Sequence, residues 1–445
     1  MSGADFDNAV RELNSFIDFE RLANPQPFDT THFEIERFRR ILENRGNPQL
    51  TYPTIHIAGS KGKGSVAATI ESVLRKSGYR TGLYTSPHLI DIRERIKIGG
   101  TPISRADFAR KISELVKYAR HKGSPKGYRT VFEIMTTAAF EHFAEKKVDI
   151  AIIECGLGGK LDATNVLRPV ITVITPVGLD HTNILGNTIE EIAGDKAQIM
   201  QQNVPIIVGP QVEEASSILR KYAIKIGAGN LLEIGVEAQV HNIELSDKYT
   251  EFSLQLDTFE MLNLRTALLG KFQADNAAIA IVTIVELRNK GWIIPDNAIR
   301  EGLAEVRWPG RLQYFQESPG IVIDGAHSPM SIRVLLDSVK TIWPKKELVV
   351  VFAANRDKNI PGMLNILSDK INTIIITKFD WLRAAEPENI EKMIEGRIPT
   401  VLTAKDTSVA FDIAQKKAGA NGLIVLTGSL YLAGEALKLK GYRIC

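Results

Sequence analysis

A glycine-rich segment near the start of the chain contains the residue types that bind phosphate. The segment HIAGSKGKGS (56–65) follows the apolar run TIHIAG and precedes the helix-forming run SVAATIESVLRKSG. Glycines let backbone N–H groups turn toward phosphate oxygens, a helix N-terminus adds a positive dipole, and a lysine neutralises phosphate charge. In the standard pattern G-x-x-x-x-G-K-[ST] the lysine follows the second glycine. Here Gly59 and Gly64 have that spacing but Lys63 precedes Gly64, so a turn without a ligand stays open as an alternative.

Three further side chains of suitable chemistry follow apolar runs or lie near them. Glu154 ends the run VDIAIIECG, and the carboxyl end of a parallel strand is the usual ligand edge of an open α/β sheet. His181 follows PVITVITPV in the segment GLDHTN, and Lys196 lies in GDKAQIM. Each residue also has a structural interpretation: a capping or loop carboxylate, a structural histidine, and a surface lysine on a helix.

Polar side chains in the second half of the chain are suited to contact a nucleotide. Gln273 and Asn276 lie three residues apart, so one helical face can present both amides, either to a ligand or to solvent. Arg311 follows a proline–glycine pair and can reach a phosphate or form an interdomain ion pair. Asp324 and His327 follow the apolar run GIVI, again at the carboxyl end of an expected strand.

The elements that carry these side chains alternate between strands and helices. TIHIAG, VDIAIIECG and PVITVITPV are nearly continuous apolar runs, typical of parallel strands covered on both faces. The pattern restarts near residue 310, where GIVIDGA, ELVVVFAA, NTIIITK and GLIVLTGS are four more strand candidates. This alternation predicts an α/β fold with two domains and a hinge at Pro309-Gly310.

Two stretches depart from this alternation. The first fifty residues have a helical pattern, in which FEIERFRRILENRGNP places apolar residues from Phe33 to Leu42 near helical spacing and stops at Gly46 and Pro48. In residues 232–269, polar and apolar residues alternate as they do in half-exposed antiparallel strands. We expect these strands at the edge of the first domain.

Composition limits the class of protein. Of the 445 residues, 44% are hydrophobic and 24% are charged, as in a globular protein with a large core, and the formal net charge is only +3. This small charge argues against nucleic-acid binding through a strongly basic surface. Cys155 and Cys445 form neither a disulfide framework nor a zinc quartet, and we interpret Cys155 as a buried thiol. The N-terminal segment lacks a signal peptide's apolar core and no run approaches ~20 apolar residues, so we expect a cytoplasmic protein without membrane association.

The glycine-rich segment resembles the nucleotide loop of the Mur ligase superfamily, most closely the GTNGKGS of folylpolyglutamate and dihydrofolate synthases. Ser60 and Lys61 replace the family's Thr and Asn, whereas Lys63, Gly64 and Ser65 are kept. Eight further segments resemble motifs of the same family, in the same order along nearly the whole chain: GYRTGLYTSPHLIDIRERIKIGGTPIS, FEIMTTAAF, ECGLGGKLDATN, GLDHTNILGNTIEEIAGDKAQIM, GKFQADNAAIAI, WPGRLQ, DGAHSP and LTGSLYLAGE.

On these motifs the chain is identified as a member of the folylpolyglutamate/dihydrofolate synthase family. The resemblance implies a P-loop-containing, parallel-sheet N-terminal ATPase domain (1–308, loop 59–65) and a smaller Rossmann-like α/β C-terminal glutamate ligase domain (309–445). Two departures lie inside the motifs. Lys160 replaces the usual Arg, and Ser328 replaces the Asn of DGAHNP, which shortens the side chain and removes a hydrogen-bond donor.

The resemblance also implies roles for residues at matching positions. The implied magnesium ligands are Ser65, Glu154, His181 and, if its amine is carbamylated, Lys196. The implied ATP contacts are Gly59, Ser60, Lys61, Gly62, Lys63, Gly64, Ser65, Gln273, Asn276, Arg311 and Asp324. The implied catalytic residues are Lys63, Lys196 and His327. The implied substrate contacts are Ser86, Pro87, Arg95, Phe132, Glu133 and Ser429, with Ser86, Arg95, His327 and Ser429 expected at the incoming glutamate.

The reaction implied by the resemblance is an ATP- and Mg²⁺-dependent ligation, with two magnesium ions, that adds L-glutamate to folate or dihydropteroate through an acyl phosphate. Such an enzyme belongs to folate biosynthesis and one-carbon metabolism, and we expect a monomer. A Mur-type ligase, or a ligase for another pterin or cofactor, is one alternative. The loop begins only about fifty residues into the chain, which argues against a preceding UDP-binding domain. An alternative of another class is a non-catalytic nucleotide-binding module.

Overall fold

The computed structural model describes residues 3–18, 34–120, 128–257, 259–394 and 396–443. In these residues the helices are α1 Gly3–Leu13, α2 Ile35–Asn44, α3 Lys63–Lys76, α4 Arg105–Arg120, α5 Val131–Glu145, α6 Thr182–Leu185, α7 Ile189–Ala197, α8 Glu213–Ile226, α9 Lys271–Asn289, α10 Asp296–Glu305, α11 Pro329–Ile342, α12 Ile360–Ser368, α13 Pro387–Lys392, α14 Thr407–Ala418 and α15 Leu430–Leu439.

The strands of the same residues belong to three sheets. They are β1 Thr54–Ala58, β2 Thr81–Tyr84, β3 Ile96–Ile98, β4 Thr101–Pro102, β5 Ile150–Glu154, β6 Ile171–Ile174, β7 Ile206–Val208, β8 Leu231–Glu233, β9 Ala238–Leu245, β10 Thr250–Leu256, β11 Phe259–Thr266, β12 Gln313–Phe315, β13 Gly320–Ile323, β14 Leu348–Phe352, β15 Thr373–Ile376, β16 Thr400–Thr403 and β17 Leu423–Thr427.

The first sheet has the strand order β4-β3-β2-β5-β1-β6-β7-β8. Its strands run parallel except for β3, which pairs antiparallel with both β2 and β4. Strands β1, β5 and β6 are buried along their whole length, as their continuous apolar runs predict. In β5, Ile150 and Ile152 pack into the core with α3 and α9, whereas Ala151 and Ile153 pack on the opposite face with α4 and α5. The predicted α/β class is confirmed.

The strands predicted in residues 232–269 are antiparallel, and β9, β10 and β11 form a small sheet of their own. They do not extend the first sheet, whose last strand at that edge is β8. Phe252, Leu254 and Leu264 of the small sheet share one core with α9 and the first sheet. The small sheet therefore covers α9, whose amino end carries Gln273 and Asn276.

The second sheet has the order β12-β13-β17-β14-β15-β16, and only its edge strand β12 runs antiparallel within the described residues. The four predicted strands correspond to β13, β14, β15 and β17, of which β13, β14 and β17 are fully buried. The two edge strands β12 and β16 escaped prediction because they are only partly buried and lack a continuous apolar run. The first strand of this sheet begins at Gln313, and the domain division at residue 309 stays a prediction.

The helical start of the chain is confirmed where the structure describes it, with α2 ending at Asn44 before Gly46. Phe33 and Cys445 lie outside the described residues. None of the helices described above has the length and apolar character needed to cross a lipid bilayer.

Candidate active site

Three loops meet at one edge of the first sheet because their strands are parallel neighbours. Strand β1 lies between β5 and β6, so the loops that leave the carboxyl ends of these strands are adjacent. They span residues 59–62, 155–170 and 175–181. This is the edge at which open α/β sheets bind ligands.

The glycine-rich loop is held in a conformation that a side chain would disturb. Gly59 has a φ of +145° and Gly62 a φ of +88°, both in the region that favours glycine. A Cβ at Gly59 would lie 1.9 Å from Oγ1 of Thr175. The backbone N–H groups of Ser60 and Lys61 donate to the carbonyl of residue 176 at 3.0 and 3.2 Å. The loop is thereby fixed against the loop that follows β6.

Lys63 lies over the glycine-rich loop despite its early position in the sequence. It is the first residue of α3, and its Nζ donates to the carbonyl of Gly59 at 3.1 Å. Ser65, in the first turn of the same helix, is buried. The lysine side chain reaches back four residues, so an ammonium group lies above the loop at a helix N-terminus.

Glu154 is a buried carboxylate at the end of β5. Its Oε2 accepts a hydrogen bond from the backbone N–H of Ser86 at 3.1 Å. Burial raises the pKa of the Glu154 carboxyl to about 7, whereas the positive charge of Lys63 acts in the opposite direction. A cation would stabilise the carboxylate, because among the described residues its donor is this backbone N–H and no side chain donates to it.

Lys196 is buried, with only 3% of its surface exposed, so the interpretation as a surface lysine is wrong. It lines a small polar cavity together with Lys63, Asp180 and His181. Burial lowers the pKa of the Lys196 ammonium to about 8, and the charge of Lys63 acts in the same direction. A lysine of lowered pKa has more of the neutral amine that carbamylation requires; the modification itself stays a prediction.

The magnesium ligands implied by the sequence fit the ion only together with a phosphate. Within the described residues, no group of three His, Cys, Asp or Glu side chains could hold a metal by itself. Ser65, Glu154 and His181 nevertheless line one cleft and offer a hydroxyl, a carboxylate and an imidazole. Because Mg²⁺ in nucleotide sites commonly keeps waters and phosphate oxygens among its ligands, this incomplete donor set suits a nucleotide-bound ion.

Most of the predicted site residues line one large cleft of about 1340 Å³, which segments next to the strands of both the first and the second sheet enclose. The predicted residues that line it are Ser60, Lys61, Gly62, Lys63, Gly64, Ser65, Ser86, Pro87, Arg95, Phe132, Glu133, Glu154, His181, Asn276, Arg311, Asp324, His327 and Ser429. Gly59 and Lys196 line the adjoining small cavity instead. Gln273 lines neither cavity.

Gln273 and Asn276 do not form a solvent-facing pair, because both side chains are buried. Asn276 Nδ2 donates to Gln273 Oε1 at 2.9 Å. A Cβ at Gly62 would lie 2.4 Å from Asn276 Oδ1, so Asn276 packs directly on the glycine-rich loop. Gln273 therefore lies behind Asn276 and orients it, while Asn276 itself faces the cleft.

The segment after β13 is held by Asp324. Its two carboxylate oxygens accept from the backbone N–H groups of Leu312 and Ala326, each at 2.7 Å. Arg311, which precedes Leu312, lines the cleft. Ser328 caps α11 by accepting from the backbone N–H of residue 331 at 3.3 Å. Asp324 thus fixes the backbone beside Arg311, and Ser328 has a capping role in place of an amide contact.

The residues predicted to contact the substrate line the cleft, but several of their side chains also contact neighbouring residues of the fold. Phe132 packs against Gly156, where a Cβ would lie 2.6 Å from its ring. Glu133 closes the capping box of α5 and pairs with Arg37. The hydroxyl of Ser429 caps α15.

Arg95 is buried, and its Nε donates to His88 Nδ1 at 3.0 Å. Of the six predicted substrate contacts, Glu133 thus has its carboxylate committed to neighbouring groups, whereas Ser86, Pro87 and Phe132 offer surface to a ligand in the cleft. Cys155 is a buried thiol as interpreted, 3.1 Å from Nε2 of the buried His56.

Asp180 is a site residue that the sequence interpretation missed. Its Oδ2 accepts from Lys61 Nζ at 2.8 Å, and it lines both cavities. The motif GLDH contains it next to His181, so the signal was present in the sequence. Its role depends on its contact with Lys61, which lies in another loop. The spacing of residues along the sequence does not indicate such a contact.

Comparisons with known proteins agree with the geometry. The model of the Mur ligase middle domain matches residues 57–284, and that of the Mur ligase glutamate ligase domain matches residues 310–430. A dihydrofolate synthase/folylpolyglutamate synthase of Bacillus subtilis is 36% identical over 406 residues, which cover 90% of this chain and 94% of that protein.

Solved structures match over the same length. Folylpolyglutamate synthase of Mycobacterium tuberculosis, complexed with ADP, has a TM-score of 0.89 and 29% identity, with 99% of both chains covered. Escherichia coli FolC, in complex with DHPP and ADP, has a TM-score of 0.81 and 26% identity, with 98% of this chain and 97% of that chain covered. The fold is therefore that of known folylpolyglutamate synthases.

Proposed function

This chain belongs to the folylpolyglutamate/dihydrofolate synthase family of Mur ligases, and we propose that it adds L-glutamate to the carboxylate of a folate-type substrate at the expense of ATP. It is an ATP-dependent acid–amino-acid ligase whose substrates are small molecules, ATP and a folate among them. The observation that carries the proposal is the position of Lys63 over the glycine-rich loop, in a cleft lined by segments next to both sheets.

The reaction must first make a carboxylate reactive, because its oxygen is a poor leaving group. The substrate carboxylate attacks the γ-phosphorus of ATP, the bond to the β-phosphate oxygen breaks, and ADP leaves with an acyl phosphate formed. The uncharged amine of glutamate then attacks the acyl carbon, inorganic phosphate leaves with its bonding electron pair, and the amine loses a proton. Both steps depend mainly on positioning and on neutralisation of phosphate charge.

The residues at the carboxyl edge of the first sheet, where the three loops meet, suit the first step. The backbone N–H groups of residues 62–65 at the start of α3 would surround phosphate oxygens, and Lys63 would neutralise the transferred group. Arg311 lines the cleft from the segment that Asp324 orders, from where its guanidinium could contact the phosphates as the second sheet closes. Asn276 lies next to the loop and would contact the nucleoside.

Ser65, Glu154 and His181 are the residues that would hold Mg²⁺ beside the phosphates, and Lys196 would join them if carbamylated. When bound, the ion supplies positive charge that neutralises the phosphate oxygens. The buried Glu154 and the lowered pKa of Lys196 support this assignment of residues. Two ions, as the family resemblance implies, are part of the same proposal.

The acceptor and the glutamate would occupy the rest of the cleft. Phe132 offers an aromatic face to a flat pterin ring, and Ser86 lies beside Glu154. Arg95, His327 and Ser429 would surround the incoming glutamate, whose carboxylates suit an arginine partner. Closure of residues 309–445 over residues 1–308 as separate domains would then exclude water from the acyl phosphate. The enzyme would act as a monomer.

A single assay tests the proposed function. Purified protein is incubated with ATP, Mg²⁺ and labelled glutamate, and dihydropteroate or tetrahydrofolate is supplied in turn. We expect a labelled amide product with at least one acceptor, together with ADP and phosphate in equal amounts. ATP hydrolysis that does not depend on any acceptor, with no labelled product, would favour a non-catalytic nucleotide-binding module, and product with another pterin would favour a related ligase.

A further inference from the structure

Lys61, the first lysine of the glycine-rich loop, points away from the loop interior. Its Nζ donates to Asp180 Oδ2 at 2.8 Å and lies 3.5 Å from His327 Nε2. The three residues belong to the loop after β1, the loop after β6, and the segment between β13 and α11. One ammonium group therefore joins two loops of the first sheet to the second sheet.

The hydrogen bonds of His327 define its tautomer. Its Nδ1 lies 2.9 Å from the carbonyl oxygen of Gly325, and a carbonyl can only accept, so Nδ1 carries the hydrogen. Burial lowers the pKa of His327 well below its usual value, and the positive charge of Lys61 acts in the same direction, so the imidazole is neutral. Nε2 then has a lone pair that can accept a hydrogen bond from the Lys61 ammonium. The ammonium has three N–H donors, so it can donate to Asp180 at the same time.

The two lysines of the loop thus have different partners. Lys63 lies over the loop at 3.1 Å from the carbonyl of Gly59, whereas Lys61 extends across the cleft. The family loop has an asparagine at the position of Lys61. An asparagine carries no charge, and its side chain is two heavy atoms shorter, so it could not replace the contacts with Asp180 and His327.

We propose that Lys61 is a positioning residue and not a phosphate ligand: its ammonium donates to Nε2 of the Nδ1–H tautomer of His327, which the carbonyl of Gly325 fixes, and connects the second sheet to the loops after β1 and β6. The inference rests on the proposed function, since His327 lies where glutamate would bind. Lys61 should therefore matter most for the use of glutamate, which needs both sheets in place. Nucleotide binding depends more on the loop amides and on Lys63.

The test compares Lys61→Met and Lys61→Arg with two other lysine-to-methionine variants. Lys63→Met removes the lysine over the loop. Lys271→Met is the matched control for charge, because Lys271 is exposed at the start of α9 and its charge acts on Asp275, a cleft residue. The kinetic readouts are kcat and KM for glutamate, and the binding readout is the Kd for a non-hydrolysable ATP analogue, which needs no turnover. The spectroscopic readout is the ¹⁵N signal of His327 in histidine-labelled protein, assigned with a His327→Gln variant.

We expect K61M to lower kcat/KM for glutamate by about 10- to 100-fold, because Asp180 and His327 lose their shared donor. The Kd for a non-hydrolysable ATP analogue should rise less in K61M than in K63M, K61R should restore most of the glutamate activity, and K271M should leave the KM for glutamate near the wild-type value. The ¹⁵N shift of His327 Nε2, which reports the hydrogen bond that this nitrogen accepts, should be alike in wild type and K61R and should move in K61M.

An unchanged ¹⁵N shift of His327 Nε2 in K61M would overturn the inference, as would a K271M variant with the same loss as K61M. So would a rise in the Kd for the ATP analogue that equals that of K63M. If the wild-type protein makes no glutamate product at all, the proposed function fails. The comparison of the Nε2 shifts then still decides whether Lys61 positions His327.

Discussion

Replacing Gly62 with alanine should destabilise the glycine-rich loop by more than its backbone conformation alone would cost. Gly62 has a φ of +88°, and an alanine Cβ there would lie 2.4 Å from Asn276 Oδ1. The left-handed conformation costs an L-residue about 1–2 kcal/mol. Relieving the overlap means moving Asn276, a buried side chain whose Nδ2 donates to Gln273 Oε1 at 2.9 Å. Loss of that hydrogen bond adds about 1–3 kcal/mol, so the total is about 2–5 kcal/mol.

Gly78 provides a matched control at the other end of α3. Its φ is +90°, nearly that of Gly62, but a Cβ there would have no atom within 4 Å. Gly78→Ala should therefore lose only the backbone part, about 1–2 kcal/mol. The free energies of unfolding of both variants are measured by urea denaturation. Titration calorimetry with a non-hydrolysable ATP analogue should show weaker binding for Gly62→Ala, whose loop is displaced, than for Gly78→Ala.

A double variant identifies the source of the extra loss. Asn276→Ala removes the amide that the alanine at position 62 would overlap. Gly62→Ala should then cost about 1–2 kcal/mol in the Asn276→Ala background, less than in the wild type. Equal losses for Gly62→Ala and Gly78→Ala, or strictly additive effects in the double variant, would refute the steric argument.

Three further substitutions test single contacts of the site. Lys63→Ala should abolish ATP-dependent amide formation and leave the circular dichroism spectrum unchanged; normal turnover would exclude its proposed role. Glu154→Gln should raise the Mg²⁺ concentration needed for half-maximal activity by about tenfold or more, since a ligating charge is lost, and an unchanged magnesium titration would contradict this. Asp324→Asn should lower the free energy of unfolding by about 1–3 kcal/mol, because its carboxylate accepts from two buried backbone N–H groups, and urea denaturation measures the loss.

Local sequence patterns predicted the central elements of the fold. Six strands have apolar runs because they are buried on both faces, and this composition alone indicated parallel strands. They are β1, β5, β6, β13, β14 and β17. The edge strands β12 and β16 have no such run and were missed. Strands β2 and β7 are fully buried and were also missed, because neither lies in a long continuous apolar run.

The environment of individual side chains was harder to predict. Lys196 had an open interpretation as a surface lysine, and the pair Gln273 and Asn276 had an open solvent-facing alternative, yet all three are buried. Their burial depends on neighbours distant in the sequence: Asn276 packs on Gly62, and Lys196 lines a cavity with Lys63. A helical pattern records which residues share a face, but not what covers that face.

The sequence by itself determined the glycine-rich loop, the order of the motifs and the α/β class, because each depends on residues that are neighbours along the chain. Only the tertiary structure decided that Lys63 reaches back over the loop whereas Lys61 extends to Asp180 and His327. The two lysines are two residues apart and chemically identical. What separates them is the strand order β5-β1-β6 and the approach of the second sheet, which give each lysine different partners.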